Sequence, residues 1–106
     1  MLIKAGADIN YIDFRQFKPI HYACECGNLQ VLNLLLTHKA DINAQNAFGD
    51  TPLHLAVKKN FLKIIKILLE DERIDVDMKN NEGYTPLDIA KVSFTLKIEI
   101  VIVIRL

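Results

Sequence analysis

The stretch Ala40-Asp41-Ile42-Asn43-Ala44-Gln45-Asn46-Ala47-Phe48-Gly49-Asp50-Thr51-Pro52-Leu53-His54 holds both motifs that decide the fold. Its first four residues repeat Ala7-Asp8-Ile9-Asn10 at a distance of 33 residues, and Pro52-Leu53-His54 repeats Pro19-Ile20-His21 at the same distance. Third copies, Ile74-Asp75-Val76-Asp77 and Thr85-Pro86-Leu87-Asp88, follow 34 residues later, one residue having been inserted in Glu70-Asp71-Glu72-Arg73. Two motifs that share one period and one slip define an internal repeat, and a period near 33 residues belongs to stacked repeat architectures.

Each period has the same local grammar. Thr51 is placed to cap a helix that begins at Pro52, where the hydroxyl takes an orphan N–H and proline supplies a helical φ. That helix runs through Leu53, Leu55, Ala56 and Val57 and is expected to end near Asn60. A second helix is expected from about Leu62 to Leu69, with Leu62, Ile65 and Leu69 on one stripe and Ile64, Ile67 and Leu68 beside it. A stripe this wide suits a helix wedged between neighbours. Residues 41–50 are rich in Asn, Asp and Gly and read as a turn. The preceding period predicts helices near Pro19–Cys26 and Leu29–Leu36. A turn and two antiparallel helices cannot bury their own apolar faces, so stacking must supply the core. The fold class is all-α, a helical solenoid.

The composition is compatible with that fold and narrows the function. The chain has 106 residues, 51% hydrophobic and 25% charged, which is a globular balance. A chain of this size buries roughly 65% of its unfolded surface. Thirteen basic and thirteen acidic residues give zero formal charge, which argues against a dedicated nucleic-acid binder. The start Met1-Leu2-Ile3-Lys4 lacks the apolar core of a signal peptide, and no run approaches the ~20 apolar residues of a membrane span. Cys24 and Cys26 are too close to staple a secreted scaffold, so a reducing intracellular setting is expected, cytoplasmic with the nucleus as the alternative.

These motifs resemble the ankyrin repeat. The family pattern stands here as Thr51-Pro52-Leu53-His54 opening a first helix, Gly6-Ala7-Asp8-Ile9-Asn10 closing a unit, and Gly49 in the finger loop. The resemblance covers residues 1 to about 92 and divides the chain into the end of a repeat at 1–10, repeats at 11–43 and 44–77, and a terminal repeat at 78–106 that degenerates after 93. Because Met1 aligns with Leu34 inside a second helix, a piece of a longer array is expected. The family implies a curved stack of helix-turn-helix units whose hairpin-like fingers and first-helix faces grip another protein.

Several positions depart from the pattern. Lys18 replaces the capping threonine, a loss of about 0.5–2 kcal/mol. Gln16 stands where Gly49 and Gly83 stand, which requires either a different turn or a strained one. Asp88 replaces the helix-one histidine and lies three residues after Thr85, like a shortened capping box. In residues 94–106, Glu99 and Ile100 fall out of register. The run Lys97-Ile98-Glu99-Ile100-Val101-Ile102-Val103-Ile104 fits a strand by pattern and a helix by repeat context. This apolar end carries no polar cap, so it predicts a missing neighbour or self-association.

Candidates for chemistry reduce to structural roles. His21 and His54 occupy equivalent positions, and the resemblance makes that histidine a hydrogen-bonding residue rather than a metal ligand. Cys24-Glu25-Cys26 lacks the partners of a zinc site. Cys24 aligns with Val57 and is expected in the core; Cys26 aligns with Lys59 and is expected to be accessible. Asp71 and Glu72 beside Arg73 read as a solvated turn. Lys58, Lys59, Lys63 and Lys66 form a small basic strip that also suits a solvated helix face. No nucleophile elbow or phosphate loop is present, and neither a catalytic residue nor a cofactor is expected.

The fingers carry the stronger signal. Phe14, Phe17, Phe48 and Tyr84 all fall in them, although a scaffold needs no aromatics on exposed turns. Phe17, Asp50 and Tyr84 share one repeat position; Arg15, Phe48 and Glu82 share another. By the resemblance, the pair before the end of helix one joins this face, here Glu25-Cys26, Lys58-Lys59 and Val92-Ser93. The expected function is a non-enzymatic protein-interaction module. Its alternatives are a recruitment fragment of a larger signalling protein (kinase, ubiquitin ligase or channel) and a structural spacer in a longer array. The resemblance further marks Asn10 and Asn43 for asparaginyl hydroxylation, since each closes an Asp-Ile-Asn turn with Leu2 or Leu35 eight residues upstream.

Overall fold

Proline at the first helical position starts α1 (Pro19–Cys26), α3 (Pro52–Lys58) and α5 (Pro86–Lys91) in a computed structural model that describes residues 15–91. The remaining helices, α2 (Leu29–Thr37) and α4 (Leu62–Glu70), follow α1 and α3 after short turns, and no strand occurs among the described residues. Phe14, Asn10, Val92, Ser93 and the run 94–106 lie outside them.

The caps show why each helix begins where it does. Thr51 Oγ1 accepts the His54 N–H at 3.3 Å, and His54 Nδ1 accepts the Thr51 N–H at 3.0 Å. Asp88 reproduces this exchange with Thr85, at 3.1 and 3.0 Å, as the spacing predicts. At α1 only half survives: His21 Nδ1 accepts the Lys18 N–H at 2.9 Å, while the Lys18 ammonium has no lone pair to return. Lys18→Thr should therefore raise stability by about 1 kcal/mol, read as a higher urea midpoint at unchanged m-value; an unchanged midpoint would show that the imidazole already suffices. Asn28 caps α2 by accepting the Val31 N–H at 3.1 Å. Phe61, its counterpart at α4, makes no such bond and packs its ring over Gly27 instead.

Three left-handed residues, Gly27, Lys39 and Asn60, end the turns after α1, α2 and α3. Each is followed by an N–H that reaches back to a helix carbonyl: Asn28 to Ala23, Ala40 to Leu35 and Phe61 to Ala56, at 2.9, 2.9 and 3.1 Å. These are Schellman closures, and Asn60 stops α3 at Lys58. Gln16 has φ 61°, the same hand as Gly49 at 77° and Gly83 at 84°. The first finger thus keeps the family turn and accepts strain, about 1–2 kcal/mol for a residue with a Cβ.

Helices α1, α3 and α5 form one row and α2 and α4 a second, with α1 packed on α2 and α3, and α3 on α4 and α5. Ile20, Cys24, Leu32, Leu35, Leu53, Ala56, Ile64, Ile65, Leu68 and Ala90 fill the space between the rows. On α4 the buried residues are Ile64, Ile65 and Leu68; Ile67 and Leu69 are half-buried and Leu62 is exposed, so the stripe is narrower than its sequence allows.

Candidate protein-binding surface

One asparagine organises each of the second and third fingers. Asn46 Oδ1 accepts the N–H groups of Phe48 and Asp50, at 2.9 and 3.0 Å, and Asn80 Oδ1 accepts those of Glu82 and Tyr84, both at 3.0 Å. Neighbouring fingers are tied by backbone bonds of 3.0 Å, from Ala47 N–H to the Arg15 carbonyl and from Asn81 N–H to the Phe48 carbonyl. Gln45 Nε2 reaches the Lys79 carbonyl at 3.0 Å, and Asn81 Nδ2 the Ala47 carbonyl at 2.9 Å.

Between the fingers and the ends of α1 and α3 lies a groove of about 450 Å³. Eight of the residues singled out from sequence line it: Arg15, Phe17, Glu25, Phe48, Asp50, Lys58, Lys59 and Glu82. Tyr84 lies in an adjoining depression with Lys58 and Glu82, whereas Cys26 sits apart with Tyr22, Asn28 and Val31. Phe48 is 58% exposed and Tyr84 49%.

Two of these residues are not the exposed contacts expected of them. Phe17 is 3% exposed and belongs to the core, where the Arg15 guanidinium stacks 4.4 Å from its ring centroid. Asp50, at the same repeat position, is also 3% exposed. Its carboxylate accepts from Lys58 Nζ at 2.8 Å and Asn80 Nδ2 at 3.0 Å. That position is at the base of the finger and is covered by the next finger. Tyr84 escapes burial because no further described finger covers it. Leu55, Asn46 and Asn81 also line the groove and were not foreseen. The asparagines had a readable signal, since Asn46 and Asn80 recur two residues before Phe48 and Glu82.

Both ring nitrogens of the repeated histidines are committed to the stack. His21 Nε2 donates to the Ala44 carbonyl at 2.7 Å and His54 Nε2 to the Tyr84 carbonyl at 2.8 Å, while each Nδ1 accepts from its own cap. Burial holds both imidazoles below the ordinary histidine pKa, in the neutral form this network needs. Burial pushes the Cys24 thiol far above its ordinary value, which leaves it an inert core residue; Cys26 is exposed. Arg73 pairs with Asp71 at 2.9 Å and holds that carboxyl below its ordinary value. Asn43 bridges two turns, donating from Nδ2 to the Arg73 carbonyl and accepting the Asp75 N–H, both at 2.8 Å. A modifying enzyme would have to open that turn first. Among the described residues, no three His, Cys, Asp or Glu side chains cluster as metal ligands.

A two-row helical stack with tied finger loops beside a groove defines a repeat protein built to present a surface. A family model described as ankyrin repeats (3 copies) matches residues 1–46 and 20–103, and the chain belongs to the ankyrin repeat family. It is similar to ankyrin repeat protein YahD of Escherichia coli (strain K12), 40% identical over 86 residues, covering 81% of this chain and 43% of that protein. It is also similar to alpha-latrotoxin-Lg1a of Latrodectus geometricus, 36% identical over 84 residues, 78% of this chain and 6% of the toxin. The B-cell lymphoma 3 protein homolog of Mus musculus is 34% identical over 92 residues, 86% of this chain and 20% of that protein. The chain thus spans less than half the length of each of these relatives. Ankyrin repeats are generally protein–protein interaction modules and typically not enzymes. No described helix is long and apolar enough to cross a membrane.

Proposed function

We infer that this ankyrin stack recruits another protein, gripping a segment of it in the groove between the fingers and the ends of α1 and α3. The observation that carries the reading is convergence: Arg15, Lys59 and Glu82, scattered over three repeats, line one groove beside Phe48, an aromatic that is 58% exposed. Exposed aromatic and cationic residues around a concave surface are the usual anchors of binding energy. Rigid fingers also lose little entropy when they bind. Phe48 and Lys59 are the principal contacts, because Asp50 and Lys58 already satisfy each other.

The test is capture from the native cell with a photo-crosslinking residue at Phe48 or, as a control, at Lys63 on α4. Partners are expected to cross-link at Phe48 and not at Lys63. Phe48→Ala combined with Lys59→Glu should lower capture at least tenfold with the thermal midpoint unchanged, because both side chains are exposed. Equal cross-linking at both positions, or capture indifferent to the double variant, would leave the stack as a spacer without a ligand of its own.

A further inference from the structure

The residue at the base of the finger is matched with a cation in the first two copies of the repeat and not in the third. Phe17, Asp50 and Tyr84 share that position. The Arg15 guanidinium lies 4.4 Å from the Phe17 ring centroid, and Lys58 Nζ meets the Asp50 carboxylate at 2.8 Å. In the third copy neither supplying position holds a cation: Glu82 stands for Arg15 and Val92 for Lys58. The Tyr84 ring is left 49% exposed, lining a depression of about 250 Å³ with Lys58, Glu82, Asp88 and Ile89. This depression is short of positive charge. Lys58, the cation in its wall, is already engaged by Asp50, whose side chain is only 5% exposed. That leaves the carboxylates of Glu82 and Asp88, neither of which forms an ion pair among the described residues. Asp88 Oδ2 accepts the Thr85 N–H at 3.0 Å, a bond that holds the carboxyl below its ordinary value and so ionised at neutral pH. Lys79 and Lys91 act on Asp88 from outside and line no part of the depression.

We propose that this depression takes an arginine side chain of the partner, its guanidinium over the Tyr84 ring and paired with the carboxylates of Glu82 and Asp88. The inference rests on the groove being a protein-binding site, with which the depression shares Lys58 and Glu82. Arginine suits the place better than lysine. A planar guanidinium stacks on an aromatic face and forks two N–H groups to a carboxylate, where an ammonium offers a point charge. At about 250 Å³ the depression lies below the ~300 Å³ at which pockets for whole small molecules begin, so it fits one side chain of a longer segment. The chain itself displays the arrangement at the same repeat position, where Arg15 stacks on Phe17 and donates to the Tyr22 hydroxyl. The remainder of the partner segment lies in the neighbouring groove, with Phe48 as its apolar contact.

The full chain, immobilised, is panned against a phage library of random peptides, and enriched peptides are synthesised and titrated. Those that the Phe48→Ala/Lys59→Glu double variant no longer binds are groove-directed, and they are expected to carry an arginine. Replacing that arginine by alanine should weaken binding roughly tenfold. Glu82→Gln and Tyr84→Leu, both at exposed side chains, should each weaken the arginine peptides about threefold with the circular dichroism spectrum unchanged. Against the alanine peptide, Glu82→Gln should change affinity by less than about twofold, because both substitutions remove the same contact. Groove-directed peptides without arginine, or two losses that simply multiply, would overturn the arginine assignment and leave the groove as a binding site. Enrichment of no groove-directed peptide would overturn both readings.

Discussion

Gly49→Ala should lower stability by about 3 kcal/mol, whereas Gly83→Ala should lower it by about 1. The two glycines have nearly the same left-handed backbone, φ 77° and 84°, so the conformational penalty of a Cβ is shared. Their surroundings differ. A Cβ on Gly49 would lie 2.5 Å from Asn81 Oδ1 and 2.6 Å from the Asn81 backbone nitrogen, and the second contact is with main chain that cannot rotate away. Relief requires the fingers to separate, which breaks the Asn81–Phe48 backbone bond and its side-chain companion. At Gly83 the added methyl meets no described atom within 4 Å. Urea unfolding of the two variants measures the difference. Equal losses would mean that the fingers are not held in register by this contact.

The second large effect concerns His54. Its side chain is fully buried, and replacing it by alanine removes a donor to the Tyr84 carbonyl and the acceptor for the Thr51 N–H, besides leaving a cavity. A loss of about 3 kcal/mol is expected. The same residue makes stability pH-dependent. Burial lowers its folded-state pKa from 6.5, so as pH falls the unfolded chain binds a proton first. The contribution is complete above 6.5 and is lost progressively as pH falls below 6.5 and through the lowered folded value; His21 acts in the same direction for the same reason. Urea midpoints at about pH 5 and about pH 7.5 should therefore differ more for the native chain than for His54→Ala. A variant with the same acid sensitivity as the parent would show that His54 does not titrate with unfolding.

The helices were legible because their boundaries are written in local chemistry. Pro19, Pro52 and Pro86 mark three starts, and Asn60 marks an end. The periodicity of α4 overstated its buried face, because Leu62 falls on the apolar stripe and yet stands at the exposed outer start of the helix. The groove was legible as a set of repeat positions, but the exposure of each member was not. Phe17 and Phe48 are both finger phenylalanines, and nothing in their flanking residues tells the core residue from the exposed one. The difference arises from what the next finger lays over each position, a contact between residues some thirty apart, as in Asn80 on Asp50. That Asn46 Nδ2 has no partner among the described residues was hidden for the same reason. It follows from an aspartate absent at position 17, and an absence is visible only against the repeat that has it.

The ties between successive repeats occur at three levels: finger to finger at Asn81 and Phe48, helix cap to finger at His54 and Tyr84, and turn to turn at Asn43 and Asp75. A stack fastened along one line could hinge; one fastened along three acts as a ruler with fixed graduations. Packed helices stand about 8–10 Å apart, and an extended chain advances about 3.3 Å per residue. A partner segment lying along the groove therefore meets an equivalent position of a new repeat at roughly every third residue. Under the function proposed above, the stack would read the spacing of such a segment as well as its side chains.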